Sequence, residues 1–309
     1  MVELALRNKT AEILSKSNNP EIEMDFRANC SVSQINPSLH GPPLMQAYQD
    51  YLNSCQHGTS LYNLKRDNEE TDLIVYNTET KTQEVKTLQT PQPLDLSTSI
   101  TQLPNGKLFC FGNCVLSGYT VLIDTNGGIE VLPSGTPCEW SSCIYFNNSV
   151  YCFGGDNEGT LTLSSRFDLI RDRWIKLTPM PKSNFKCNSI IFNGNILISG
   201  YYYRRNLLLY SIDIDSFSTI PYEFATWKRK VLINAERLYL IECDNRGDIY
   251  ESEIGSYMNW RPIGKTTKIN CRADQVYCSY NKGEIYIGID GSYYFKFDLN
   301  EKRLNELKI

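Results

Sequence analysis

The sequence predicts an all-β chain: a six-bladed β-propeller of four-stranded antiparallel blades over 57–309, preceded by a short helical N-terminal extension over 1–56. Three observations predict it. Two separate landmarks recur at about the length of one blade. Short apolar strands alternate with Gly, Asn and Pro turns. Aromatic residues reach 12%, led by 20 Tyr and 12 Phe, and tyrosine suits a half-buried strand because its ring packs while its hydroxyl stays wet.

The first landmark is an apolar strand closing on glycine or a polar substitute: Gly112, Gly154, Gly200, Glu242 and Gly288, at intervals of 42, 46, 42 and 46 residues. The second is an apolar strand closing on Asn, Asp or Glu. Its members are Val75-Tyr76-Asn77, Leu122-Ile123-Asp124, Arg166-Phe167-Asp168, Ser211-Ile212-Asp213, Ile249-Tyr250-Glu251 and Lys296-Phe297-Asp298. Their middle residues are 47, 44, 45, 38 and 47 apart. Two landmarks in step imply a repeated four-stranded unit.

Taken in order, residues 2–17 read as a helix, with Leu6, Thr10, Ile13 and Leu14 on one stripe and Asn18-Asn19-Pro20 as its stop. Two readings stay open: the tail of a coiled coil through which the chain self-associates, and a helix packed on the propeller. Pro42-Pro43 opens a second helical stretch, with Met45, Tyr48, Tyr51, Leu52 and Cys55 on its apolar face.

The blades are expected over 57–92, 93–134, 135–181, 182–222, 223–265 and 266–309. The first offers strands at 60–64, 73–77 and 83–88 but no innermost strand; the segment 24–32 is the candidate to supply it, because a ring must close or leave a bare sheet edge. The third is the clearest, with strands at 142–146, 150–153, 163–168 and 174–176.

That third blade carries Tyr151-Cys152-Phe153-Gly154-Gly155, then Phe167-Asp168, then Trp174, then Pro179-Met180-Pro181. It resembles the Kelch repeat, with its double glycine, a Tyr-Asp-like pair some 12 residues on, and a Trp about six residues later. The resemblance covers about 250 residues by position. Only Gly154-Gly155 keeps both glycines; other blades have Gly112-Asn113, Gly200-Tyr201 and Glu242-Cys243, and Trp260-Arg261-Pro262 restores the late Trp in the fifth. The glycines read as crowded strand ends and the Trp as packing between blades. No Trp-Asp dipeptide points to a WD-repeat propeller.

The resemblance implies a scaffold or adaptor that binds another protein, as Kelch propellers commonly do in cytoskeletal or ubiquitin-ligase assemblies. The alternatives are a propeller enzyme of oxidase or hydrolase type and a permanent structural subunit. Some Kelch-like propellers are copper-radical oxidases, which need His ligands together with Tyr. Here only His40 and His57 are present, both next to glycine and without a Cys-x-x-Cys partner set, so no metal or other cofactor is expected. No Gly-x-Ser-x-Gly elbow or P-loop occurs, and the chain reads as a non-enzyme. Cys110, Cys152 and Cys187 read as structural.

A net charge of −4 without a basic stripe argues against a nucleic-acid partner. No apolar run of membrane-spanning length occurs, and the first ten residues lack the apolar stretch of a signal peptide. Eleven Cys, an odd number, several inside apolar runs, point to a reducing compartment and a cytoplasmic location.

In a four-stranded meander the turns after strands one and three lie on one face, and the connections after strands two and four on the other. The first set is short: Asn105-Gly106, Asn147-Asn148 and Asn193-Gly194 are hairpin signals. The second is longer, as at 65–70, 113–119, 156–160, 201–206 and 243–247. The long-loop face is therefore the expected binding face. Tyr201, Tyr202, Tyr203, Arg204 and Arg205 form an aromatic–basic cluster there, and Trp227 and Lys228, followed by Arg229 and Lys230, form a second.

Overall fold

The computed structural model describes residues 60–67, 70–94, 97–114, 117–124, 126–156, 162–184, 187–192, 194–200, 206–221, 229–234, 238–243, 248–252, 260–265, 276–281, 284–289 and 293–307. The chain divides into two compact units, Met1–Pro43 and Leu44–Ile309, and every described residue belongs to the second. Among the described residues there are strands and turns but no helix. The helices expected at 2–17 and 42–55, and the candidate strand at 24–32, lie outside the described residues.

The fold is all-β, and every strand pairing is antiparallel between neighbours in sequence. Sheet I is a three-stranded meander, β1 (Ser60–Asp67), β2 (Glu70–Asn77) and β3 (Thr82–Leu88). Five four-stranded meanders follow. Sheet II holds β4 (Ser99–Gln102), β5 (Leu108–Cys114), β6 (Ser117–Ile123) and β7 (Ile129–Val131). Sheet III holds β8 (Ser142–Phe146), β9 (Ser149–Phe153), β10 (Ser164–Asp168) and β11 (Arg173–Lys176). Sheet IV holds β12 (Asn188–Phe192), β13 (Asn195–Ser199), β14 (Asn206–Ser211) and β15 (Ser216–Pro221). Sheet V holds β16 (Arg229–Asn234), β17 (Leu238–Cys243), β18 (Asp248–Ser252) and β19 (Arg261–Lys265). Sheet VI holds β20 (Val276–Asn281), β21 (Glu284–Ile289), β22 (Tyr293–Asp298) and β23 (Arg303–Leu307). Each sheet falls within one expected repeat.

Local chemistry explains the hairpins. Asn147 and Asn148 both have positive φ, 47° and 55°, as a type I′ turn requires, and this two-residue turn sets Phe146 opposite Ser149. At four of its six positions the second landmark proves to be a turn device. The Asn77 side-chain oxygen accepts the N–H groups of Glu79 and Thr80, both at 2.9 Å. Asp168 does the same for Ile170 and Arg171, and Asp298 for Asn300 and Glu301. Asp124 takes the N–H groups of Asn126 and Gly128. These are Asx turns, in which the carboxylate or amide replaces a backbone acceptor. The turns after Asn77, Asp168 and Asp298 end on a residue in the left-handed region: Lys81, Asp172 and Lys302.

This device marks the third strand of sheets II, III and VI, and in sheet I it sits on β2. Strands β1–β3 thus match strands two to four elsewhere, and no described strand takes the first position. Asn63 on β1 is buried, and neither its Oδ1 nor its Nδ2 has a hydrogen-bond partner.

Among the described residues, four pairs of neighbouring sheets share side-chain contacts. Phe109, Phe111 and Cys143 share a core between sheets II and III with Phe167 and Trp174. Phe153, Ile198 and Tyr210 join sheets III and IV, where the ring of Phe217 meets Phe153 edge-on at 6.0 Å. Leu64, Leu73 and Leu88 of sheet I pack on Leu108, Val121 and Ile123 of sheet II. On its other face Tyr76 stacks on Tyr294 of sheet VI, ring centroids 4.3 Å apart. Close backbone approaches bring β4 beside β8, β8 beside β12, β12 beside β16, β16 beside β20, and β20 beside β1.

Candidate functional site

The residues expected to bind a partner, Tyr201, Tyr202, Tyr203, Arg204, Arg205, Trp227 and Lys228, lie outside the described residues, as do His40 and His57. The scaffold that carries the first cluster is described up to Gly200 and again from Asn206.

That scaffold is tightly built. Asn184, fully buried, lies in the segment entering sheet IV. A Cβ on Gly200, the residue before Tyr201, would stand 2.0 Å from its Nδ2 and force the buried Asn184 side chain to move. The Asn184 carbonyl accepts the N–H of Gly155 at 3.0 Å. Gly154, at φ 70°, would place a Cβ 2.6 Å from that carbonyl and 2.5 Å from Cys187 Sγ; Gly155, at φ 121°, would meet Cys138 Cβ at 2.7 Å. The double glycine is therefore steric and conformational at once: the segments leading into sheets III and IV press on the end of β9.

Buried serines tie the same end together. Ser99 Oγ donates to the Ser141 carbonyl at 2.6 Å, and its oxygen lies 2.8 Å from Ser141 Oγ. Ser142 and Ser189 approach at 2.7 Å through their hydroxyls. The pairs are 42 and 47 residues apart, one repeat each, and link the starts of β4, β8 and β12. Trp140, held at φ 59°, donates its N–H to the Ser97 carbonyl at 3.0 Å, and Glu139 and Asp156 form a two-way backbone bridge. Backbone and serine contacts from three successive sheets thus fix the chain at this end.

Two of the loops expected on this face prove short. β1 and β2 stay paired out to Asp67 opposite Glu70, and β5 and β6 out to Cys114 opposite Ser117. The stretches 65–70 and 113–119 are thus mostly strand. Their polar residues read as loop, but they continue the ladder where it runs past the core. The length asymmetry between the two faces rests on the later sheets.

Buried groups here carry structural chemistry. Burial pushes the thiols of Cys110 and Cys138 far up, and burial with the adjacent Cys143 does so for Cys152. Burial thus disfavours the thiolate form of these sulfurs. Among the described residues, no three His, Cys, Asp or Glu converge as a metal-binding group. A cleft of about 300 Å³ opens between sheets I and II, lined by Tyr62, Glu84, Lys86 and Asp124 among others. Its charges Glu84 and Lys86 pair with each other at 3.2 Å, and Gln102 donates to the Tyr62 hydroxyl at 3.2 Å.

Trp174 sits where the late tryptophan was expected, between two sheets. Its indole is 4.6 Å from the Phe111 ring centroid. The serine ties and the Asx acceptors escaped sequence reading as functional units. The 42- and 47-residue recurrence of Ser at strand starts was the available signal for the first. No family model matches the chain, and no curated protein matches it.

Proposed function

We propose that the six sheets are the blades of a Kelch-type β-propeller, and that this propeller is a non-catalytic protein-binding module. The observation that supports the reading is that sheets consecutive in the chain lie side by side and the last lies beside the first. The opening strands β4, β8, β12, β16 and β20 lie side by side in chain order, β20 lies beside β1, and sheet I shares a core with sheet II. In a closed ring each blade has a neighbour on both sides and only short, protected edges remain. Sheet I, lacking a described first strand, is where the ring takes its closing strand.

The Kelch assignment is supported by the strained, crowded Gly154-Gly155 pair and by Trp174 packed between sheets. The binding role is supported by the close contacts that fix the backbone up to Gly200, the residue before Tyr201. In this reading Tyr201, Tyr202, Tyr203, Arg204 and Arg205, with Trp227 and Lys228, contact the partner. Tyrosine and arginine supply large, rigid contact area and directional donors. Affinity purification from the native cell, followed by mass spectrometry and metal analysis of the purified chain, tests the function. A stoichiometric protein partner without metal fits the module; stoichiometric copper or zinc would make it a propeller enzyme instead.

A further inference from the structure

Cys143 on β8 and Cys152 on β9 stand directly opposite each other. The type I′ turn at Asn147-Asn148 makes Phe146 and Ser149 the hydrogen-bonded pair that closes the hairpin. Pairs alternate from there, so Tyr145–Val150 is non-hydrogen-bonded, Ile144–Tyr151 hydrogen-bonded, and Cys143–Cys152 non-hydrogen-bonded. At such positions the Cα atoms stand about 4.5 Å apart and the side chains lean together, within the span of about 4.4–6.8 Å that a disulfide bridges. The two sulfurs are 2.9 Å apart. Both thiols are free in this structure, Cys143 9% exposed and Cys152 fully buried.

We propose that Cys143 and Cys152 are an oxidisable pair that forms a cross-strand disulfide with hydrogen peroxide while the sheet stays folded. Peroxide is small enough to reach a nearly buried sulfur without opening the hairpin. Cys143, the more exposed, attacks one peroxide oxygen; the O–O bond breaks, water leaves, and Cys143 becomes a sulfenic acid. The Cys152 sulfur then attacks the Cys143 sulfur, displacing the sulfenic oxygen as a second water. Two thiols lose two electrons and two protons, and one peroxide becomes two waters. No strand has to shift, because the partners are already in register.

The neighbouring thiols give the assignment its contrast. Cys138 and Cys187 are also buried near this hairpin, but they lie outside the strands and do not face either cysteine across a ladder.

The test treats the folded full chain with peroxide, blocks remaining thiols, and digests with chymotrypsin, which cuts between the two at Tyr145 and Phe146. The expected product is a peptide pair joined through Cys143 and Cys152, two hydrogens lighter than the separate peptides and parted by a reducing thiol. Cys143→Ser and Cys152→Ser each abolish it. Should either variant fail to fold, the wild-type digest still decides the matter. Recovery of both cysteines unlinked, or a linkage that runs from Cys138 instead, overturns the proposal.

Discussion

The indole N–H of Trp174 on β11 donates to the Pro133 carbonyl at 2.9 Å, joining the outer strand of sheet III to the chain that leaves sheet II. The same ring packs on Phe111 of sheet II and on Phe167 of its own sheet, at 4.6 and 5.4 Å between centroids. Trp174→Phe, which loses the hydrogen bond and part of the indole's packing, should cost about 2 kcal/mol of unfolding free energy. Removing the ring as well, in Trp174→Ala, should cost about 3 kcal/mol, near the lower end for a large aromatic, because the residue is only half-buried. Urea titration of both variants checks the order.

Gly154 and Gly194 separate strain from crowding. Both have positive φ, 70° and 73°, but a Cβ on Gly194 meets nothing within 4 Å, whereas one on Gly154 runs into Asn184 and Cys187. Gly194→Ala should cost about 1 kcal/mol, the left-handed term alone. Gly154→Ala should cost about 2 kcal/mol more, because the neighbours are packed and the nearest oxygen belongs to backbone. Equal shifts in the urea midpoint would show that the contacts at Gly154 relax freely.

The strands were legible because their pattern is local. Alternating apolar residues ending on a turn residue placed β8–β11 within a residue of their observed ends. The inner strand of sheet I was not legible in its own repeat, because no described segment of that repeat forms it. Strand ends beyond the core, such as Lys65 to Asp67, read as loop because polarity follows burial and not backbone pairing. The role of Asp168 and Asp298 was hidden although their positions were found: the landmark marked a strand end, and only the turn geometry gives the carboxylate its work. The ties from Ser99 to Ser141 and from Ser142 to Ser189 depend on which sheets face each other, which no single strand encodes.

The Asx carboxylates predict acid sensitivity. The backbone N–H groups of Glu301 and Asn300 hold the Asp298 carboxyl below its usual range. At Asp168 burial pushes upward, but the N–H groups of Arg171 and Ile170 and the Arg171 charge outweigh it and lower the net value. A carboxyl lowered in the folded state stabilises that state above its unfolded value, about 3.9 for Asp. That stability is lost as pH falls from there through the lower folded value. Asp298→Asn keeps an oxygen to accept the turn N–H groups but has no charge to lose. The variant should therefore match the wild type more closely at pH 3 than at pH 7, as thermal unfolding at the two values will show.

The proposed binding role is tested most directly by charge reversal at Arg204 and Arg205. The double change Arg204→Glu and Arg205→Glu should weaken capture of the proposed protein partner in affinity purification while leaving the melting temperature unchanged. Arg303→Glu, an exposed arginine just after the short turn at Asn300, should leave capture intact. Equal capture by the wild type and both variants would contradict the account.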